Sequence, residues 1–146
     1  MLGNAKRIVI KVGSSLLIDG ENQLRINFLS QVAESIAALC SEGKQVIVVT
    51  SGAVALGRPA LGYGKRALTL EEKQAAAACG QITLFSMWDK AFSAFQLKPA
   101  QILLTADDSI HRRRYLNAKN TLDTLLESKS VIPVINENDT VATAEL

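Results

Sequence analysis

The chain has 146 residues, 48% of them apolar, and a net charge of only +2. That is about one domain's length with enough apolar side chains for a sizeable core, and the charge balance gives no general pull toward nucleic acid or a membrane surface. No apolar run reaches the roughly 18 residues of a membrane span and no signal-peptide core precedes the first strand.

Cys40 and Cys79 lie far apart in apolar helical patterns, with neither metal-type spacing nor a disulfide framework around them. Both are expected as reduced core thiols in a cytoplasmic protein. No repeat, low-complexity tract or linker divides the chain.

The first two elements in chain order are Val- and Ile-rich runs, "IVIKV" and "VIVVT". They flank a segment from about Asn27 to Glu42 whose apolar residues Leu29, Val32, Ala33, Ile36 and Cys40 recur at spacings of three and four, which predicts strand, amphipathic helix, strand. Gly43 stands where a left-handed helix cap belongs. The stretch "SGAVALGRPALGYGKRAL" reads as a glycine-rich loop, with Ala53 to Leu56 able to start a short helix. Thr69 and Glu72 then have capping-box spacing and open a helix running to about Phe95.

Leu84, Trp88, Phe92 and Phe95 form the core stripe of that helix, and Ala75 to Ala78 with Gly80 form a small face able to admit another helix closely. A third strand, "AQILLT", leads into a polar turn, "ADDS", and a helix from about Arg113 to Lys129. The fourth strand, "VIPVI", ends in "NEND". Strands alternating with helices predict an α/β fold with a mostly parallel sheet and helices on both faces.

Ligands of such sheets bind beyond the strand C-termini. Four polar clusters are expected there: Lys11 with Gly13, Ser14 and Ser15; Ser51, Gly52 and Ala53; Thr105 with Asp107 and Asp108; and Asn136, Glu137, Asn138 and Asp139. A lysine at the end of a buried strand keeps its charge by facing an anion. The glycine beside it lets a ligand approach, and Ser14 and Ser15 leave backbone N–H groups free for phosphate oxygens. Ser51 to Ala53, at a strand-to-helix turn, suits a carboxylate or phosphate. Asp139 beside asparagine amides suits an ammonium group.

Other readings are weaker. Gly64-Lys65 lacks the earlier glycine and the Ser or Thr of a phosphate-binding P-loop, and Gly62-x-Gly64-x-x-Ala67 lies too far past a strand for a dinucleotide fingerprint. His111 has no nucleophile elbow around it. Arg112 to Arg114, opposite Asp107 and Asp108, read as a solvated surface before a nucleic-acid contact. No metal ligand set is expected.

The motifs "IKVGSS", "VIVVTSGAVALG", "YLNAKNTL" and "VIPVINENDTVATAE", in this order, resemble the amino-acid kinase family, and "TSGAVALG" with "VINEND" its glutamate-phosphorylating branch. The likeness runs from about Lys6 to Leu146. It implies a three-layer sandwich in which ATP, carrying Mg²⁺, phosphorylates the γ-carboxylate of L-glutamate as the first step of proline biosynthesis. Lys11, with Gly13 and Ser14, would then meet the nucleotide phosphates. Ser51, Gly52 and Ala53, with Asn136 and Asp139, would bind glutamate.

The family pattern continues past "VATAEL" into a Gly-Asp-Asn-Asp segment and a nucleotide-binding half. The resemblance thus implies that residues 1–146 are the N-terminal, amino-acid-binding part of a longer enzyme, inactive alone. It further implies a homo-oligomer and inhibition by proline. A non-catalytic glutamate- or proline-binding module, or a kinase of another small carboxylic acid, are the alternative readings.

Overall fold

A computed structural model describes residues 4–19 and 24–142. In chain order the elements are β1 (Arg7–Val12), α1 (Ser14–Leu17), α2 (Ile26–Ser41), β2 (Gln45–Thr50), α3 (Ala53–Gly57), a 3₁₀ turn (Arg58–Leu61), α4 (Leu70–Ser93), β3 (Lys98–Leu104), α5 (Ala106–Ile110), α6 (Arg112–Leu126) and β4 (Val131–Glu137). The strands form one parallel sheet in the order β1-β2-β4-β3, so β4, the last in sequence, inserts between β2 and β3.

Alternation along the strands divides the sheet into two faces. Ile10, Val12, Val46, Val48, Ile132 and Val134 pack against α2 and α4, where Leu29, Ala33, Ile36, Leu84, Trp88 and Phe92 are buried. The Trp88 and Phe92 rings stack with centroids 5.4 Å apart. Burying two such side chains contributes roughly 2–3 kcal/mol each.

The opposite face carries α6, tied down by Arg7 to Asp123 at 3.1 Å and by Gln45 Nε2 donating to the Leu126 carbonyl at 3.0 Å. Its cover is thinner there, and Val9 on the edge strand is 60% exposed.

The expected start and stop signals act locally. Gly43, at φ 79°, closes α2 as its N–H donates to the Cys40 carbonyl. Thr69 Oγ1 accepts from the Glu72 N–H, and the Glu72 carboxylate accepts from the Thr69 N–H. The small face of α4 does admit a helix. A Cβ on Gly80 would stand 1.8 Å from the Ala53 carbonyl oxygen, and one on Gly57 would stand 1.7 Å from that of Ala76. Only paired glycines let α3 and α4 come so close.

Four expectations need correction. "ADDS" is the body of α5, whose first turn closes as Asp108 accepts from the Thr105 N–H at 2.7 Å and hydroxyl at 2.9 Å. The stretch after Ser51 forms the short helix expected at Ala53, as α3, but goes on into a 3₁₀ turn where only loop was expected. The helix expected to reach Lys129 ends at Leu126, where the chain turns back toward β4.

The fourth concerns the thiols. Cys79 is exposed, because Ala76, Ala77 and Gly80 take the buried side of α4, and Cys40 is only half-buried. A run of small residues gives no apolar contrast from which to read a face. The end of the resemblance motif, residues 143–146, lies outside the described residues.

Candidate active site

The strand register builds the site floor. Lys11 lies beside Val49, Val49 beside Ile135, and Ile135 beside Ile102, one row across the sheet on the face that carries α6. Two residues further along that face come Ser51 after β2 and Glu137, which pairs with Leu104. Neighbouring strands lie about 4.8 Å apart, so positions two strands away are separated by only about 10 Å. Parallel pairing therefore brings residues distant in sequence to one rim.

A cleft of about 700 Å³ opens there, lined by Lys11, Ser14, Ser51, Gly52, Ala53, Arg58, Asn136, Glu137 and Asp139, with Val49, Leu104 and Ile135 below them. Lys11 is exposed, and among the described residues no carboxylate pairs with it. Its ammonium remains available to an anion in the cleft.

Gly52 has φ 112°, a left-handed conformation that disfavours any side chain. A Cβ at Gly52 would also lie 3.5 Å from both Ile18 Cδ1 and Ser14 Cβ, so this turn packs the Ser51 loop against the one that follows Lys11.

Gly13, by contrast, does not line the cleft. It caps α1 at φ −74°, and an added Cβ would meet nothing within 4 Å, so the described fold itself places no demand for glycine there. Ser15 is exposed in α1.

Of the four clusters, three meet in the cleft. Thr105 and Asp108 instead line a separate groove of about 320 Å³ with Arg7, Tyr115 and Asp123, and Asp107 is exposed. The reason is strand order: β3 lies at the sheet edge, beyond β4. The Thr105 N–H, then its hydroxyl, then Arg114 hold the Asp108 carboxyl below its usual range. Asn138 turns toward β3, donating its N–H to the Leu104 carbonyl, and accepts from the Thr140 hydroxyl. His111 and Arg112 to Arg114 are exposed at the start of α6.

Two residues, Arg58 and Gln81, join the site without a sequence signal, and Glu137 of the fourth expected cluster lines the cleft as well. Arg58 lines the cleft and donates to the Gly64 and Arg66 carbonyls at 2.6 and 3.0 Å. Glu137 presents a buried Oε1 with no hydrogen-bond partner among the described residues. Gln81 of α4 accepts from Asn136 Nδ2 at 2.7 Å. Among the described residues no three His, Cys, Asp or Glu side chains gather to hold a metal ion, and no helix is long and apolar enough to cross a membrane.

Comparison with known proteins matches residues 6–146 to the amino acid kinase family. The chain belongs to that family. It is 55% identical over 141 residues to glutamate 5-kinase 1 of Mesorhizobium japonicum, covering 97% of this chain and 37% of the relative. It is 57% identical over 146 residues to the glutamate 5-kinase of Paramagnetospirillum magneticum, covering 99% and 39%. The glutamate 5-kinase of Brucella anthropi is 52% identical over 145 residues, covering 99% and 38%. The chain thus spans less than two fifths of the length of these relatives.

For a member of the amino acid kinase family, the useful property of the cleft is its charge arrangement. Two cations, Lys11 and Arg58, and two carboxylates, Glu137 and Asp139, share one cavity. Such a wall offers both signs of charge to whatever occupies the cleft.

Proposed function

We propose that residues 1–146 are the N-terminal, amino-acid-binding part of a glutamate 5-kinase. The enzyme transfers the γ-phosphoryl group of ATP to the γ-carboxylate of L-glutamate, and the nucleotide-binding part lies outside this segment. The observation that carries the reading is the convergence of Lys11, Ser51, Asn136 and Asp139 on one cleft. Identity above 50% to glutamate 5-kinases over nearly the whole segment supports the substrate.

A γ-carboxylate oxygen attacks the γ-phosphorus as the bond to the β–γ bridging oxygen breaks, and ADP leaves with that electron pair. The attacking carboxylate is already ionised at neutral pH, so no general base is required. The chemical problem is the approach of one anion to another, and catalysis is mostly positioning and charge stabilisation.

Lys11 answers that problem as an electrostatic clamp on the migrating group, with Ser14, which lines the same cleft, beside the nucleotide phosphates. Ser51 and the Gly52–Ala53 backbone hold the substrate carboxylate. Asn136 and Asp139 receive the ammonium group. Mg²⁺ carried on the ATP phosphates would reduce their charge, leaving Lys11 to act on the transferring group. A cytoplasmic homo-oligomer inhibited by proline fits the same biosynthetic role.

An ammonium about 4 Å from the transferring phosphoryl interacts by about 4 kcal/mol at an effective dielectric near 20. Only the share that grows in the transition state raises the rate, which at ~1.4 kcal/mol per decade corresponds to roughly 10- to 1000-fold. The test uses the complete kinase polypeptide carrying this segment. Lys11→Ala should lower kcat by about that factor with unchanged circular dichroism. A folded Lys11→Ala enzyme with wild-type kcat would overturn the assignment.

A further inference from the structure

Helix α4 places Gln74, Gln81 and Trp88 seven residues apart. Seven residues are nearly two turns and rise about 10.5 Å, so the three stand in a row on one side of the helix. Each bonds a different segment at the C-terminal rim of the sheet. Gln74 Nε2 donates to the Ala142 carbonyl at 3.2 Å, Gln81 Oε1 accepts from Asn136 Nδ2 at 2.7 Å, and Trp88 Nε1 donates to Thr50 Oγ1 at 3.2 Å. Asn136 and Thr50 are each only 5% exposed. The residue before Gln81 is Gly80, whose close approach to Ala53 seats α3. One helix therefore holds the cleft wall and the Asn136 amide through consecutive residues.

We propose that Gln81 is a positioning residue that fixes which end of the Asn136 amide serves the cleft, and so selects ligands bearing a protonated amine. The inference rests on the reading of the cleft as an amino-acid site. An asparagine amide has a donor end and an acceptor end of nearly the same shape. With Nδ2 committed to Gln81, Oδ1 is the end left to serve a ligand, in a wall that also holds Glu137 and Asp139. An acceptor among carboxylates attracts an ammonium. The flipped amide would present N–H groups there and repel it.

Two variants separate the possibilities. Gln81→Glu has only acceptor oxygens and keeps the bond from Asn136 Nδ2; Gln81→Met has similar length and no acceptor. The readouts are exchange protection of the Asn136 side-chain amide protons by NMR and calorimetric affinities for L-glutamate and for glutarate, which lacks the amine. Gln81→Glu should retain the protection and bind L-glutamate within about threefold of wild type. Gln81→Met should lose the protection and bind L-glutamate about 10- to 100-fold more weakly, the range of a lost charge-assisted hydrogen bond, with glutarate unchanged.

An unaltered preference for L-glutamate over glutarate in a folded Gln81→Met protein would overturn the proposal. So would Gln81→Glu behaving like Gln81→Met, since Gln81 would then be the donor. A wild-type protein that binds no L-glutamate would sink the amino-acid site and the amine selection with it, whereas the Asn136 signal in the variants judges the Gln81 contact separately.

Discussion

Replacing Gly80 with alanine tests the packing on which the cleft wall depends. A Cβ built on Gly80 stands 1.8 Å from the Ala53 carbonyl oxygen and 2.6 Å from the Gly57 nitrogen. Both neighbours are backbone, so no side chain can swing away, and α3 must recede from α4 by roughly 1.5 Å or more to restore ordinary contact. Overpacking of this kind costs about 1–3 kcal/mol, and a backbone clash belongs at the upper end. Alanine in place of glycine inside a helix returns about 1 kcal/mol. The expected net loss is therefore about 1–2 kcal/mol, read from urea unfolding followed by the fluorescence of the single tryptophan, Trp88.

The same displacement moves Ala53 to Ala55 and the Arg58 that follows α3, all of which line the cleft. A misplacement of about 1 Å costs on the order of 100-fold in turnover, so under the proposed function the complete polypeptide carrying this segment should lose activity along with stability. Gly64→Ala is the control, because its Cβ meets nothing within 4 Å and its φ is not positive; it should change stability by less than about 1 kcal/mol. A Gly80→Ala protein as stable and as active as wild type would refute the reasoning.

Two further outcomes follow from local chemistry. The paired hydrogen bonds from Arg66, then the Thr69 N–H, hold the Glu72 carboxyl at about 2, against 4.5 for the free group. Its folded value lies below its unfolded one, so its contribution is whole above about pH 4.5 and is lost as pH falls toward 2. The urea midpoint should fall less steeply over that window in Glu72→Gln than in wild type; parallel profiles would remove the Arg66–Glu72 pair from the acid response. The second outcome concerns the thiols. Burial pushes the Cys40 thiol up, whereas Cys79 is exposed, so a disulfide reagent should label Cys79 first and Cys40 at least tenfold more slowly. Labelling in one phase would contradict the placement of Cys79.

The strands and the long helices were legible because each carries its own period: β-branched runs for β1, β2 and β4, and spacings of three and four for α2. Gly43 and the Thr69–Glu72 pair were legible because caps act within one turn of the chain. Helix α5 escaped because an aspartate replaces the glutamate of the usual capping box, and "TADDS" then has the composition of a turn. The departure of Thr105 and Asp108 from the cleft was invisible for another reason. Chain order gives β3 before β4, and nothing in their periodicity reveals that β4 inserts between β2 and β3.

Arg58 and Gln81 are hidden at a deeper level. A lone arginine in a glycine-rich stretch, or a lone glutamine in a helix, reads as solvent-facing because most such residues are. Gln81 escapes that expectation through its neighbours: Gly80 and Leu84, both buried, set the face on which it falls, and Asn136 arrives from a strand 55 positions away. The ladder of Gln74, Gln81 and Trp88 has the spacing of a hydrophobic stripe but carries hydrogen bonds. A search for apolar periodicity finds Trp88 and passes over the two glutamines, although all three hold the same rim. Polar groups at core spacing on a long helix, opposite the C-terminal edge of a parallel sheet, therefore mark second partners of site residues, and in this chain they point to Asn136 from its far side.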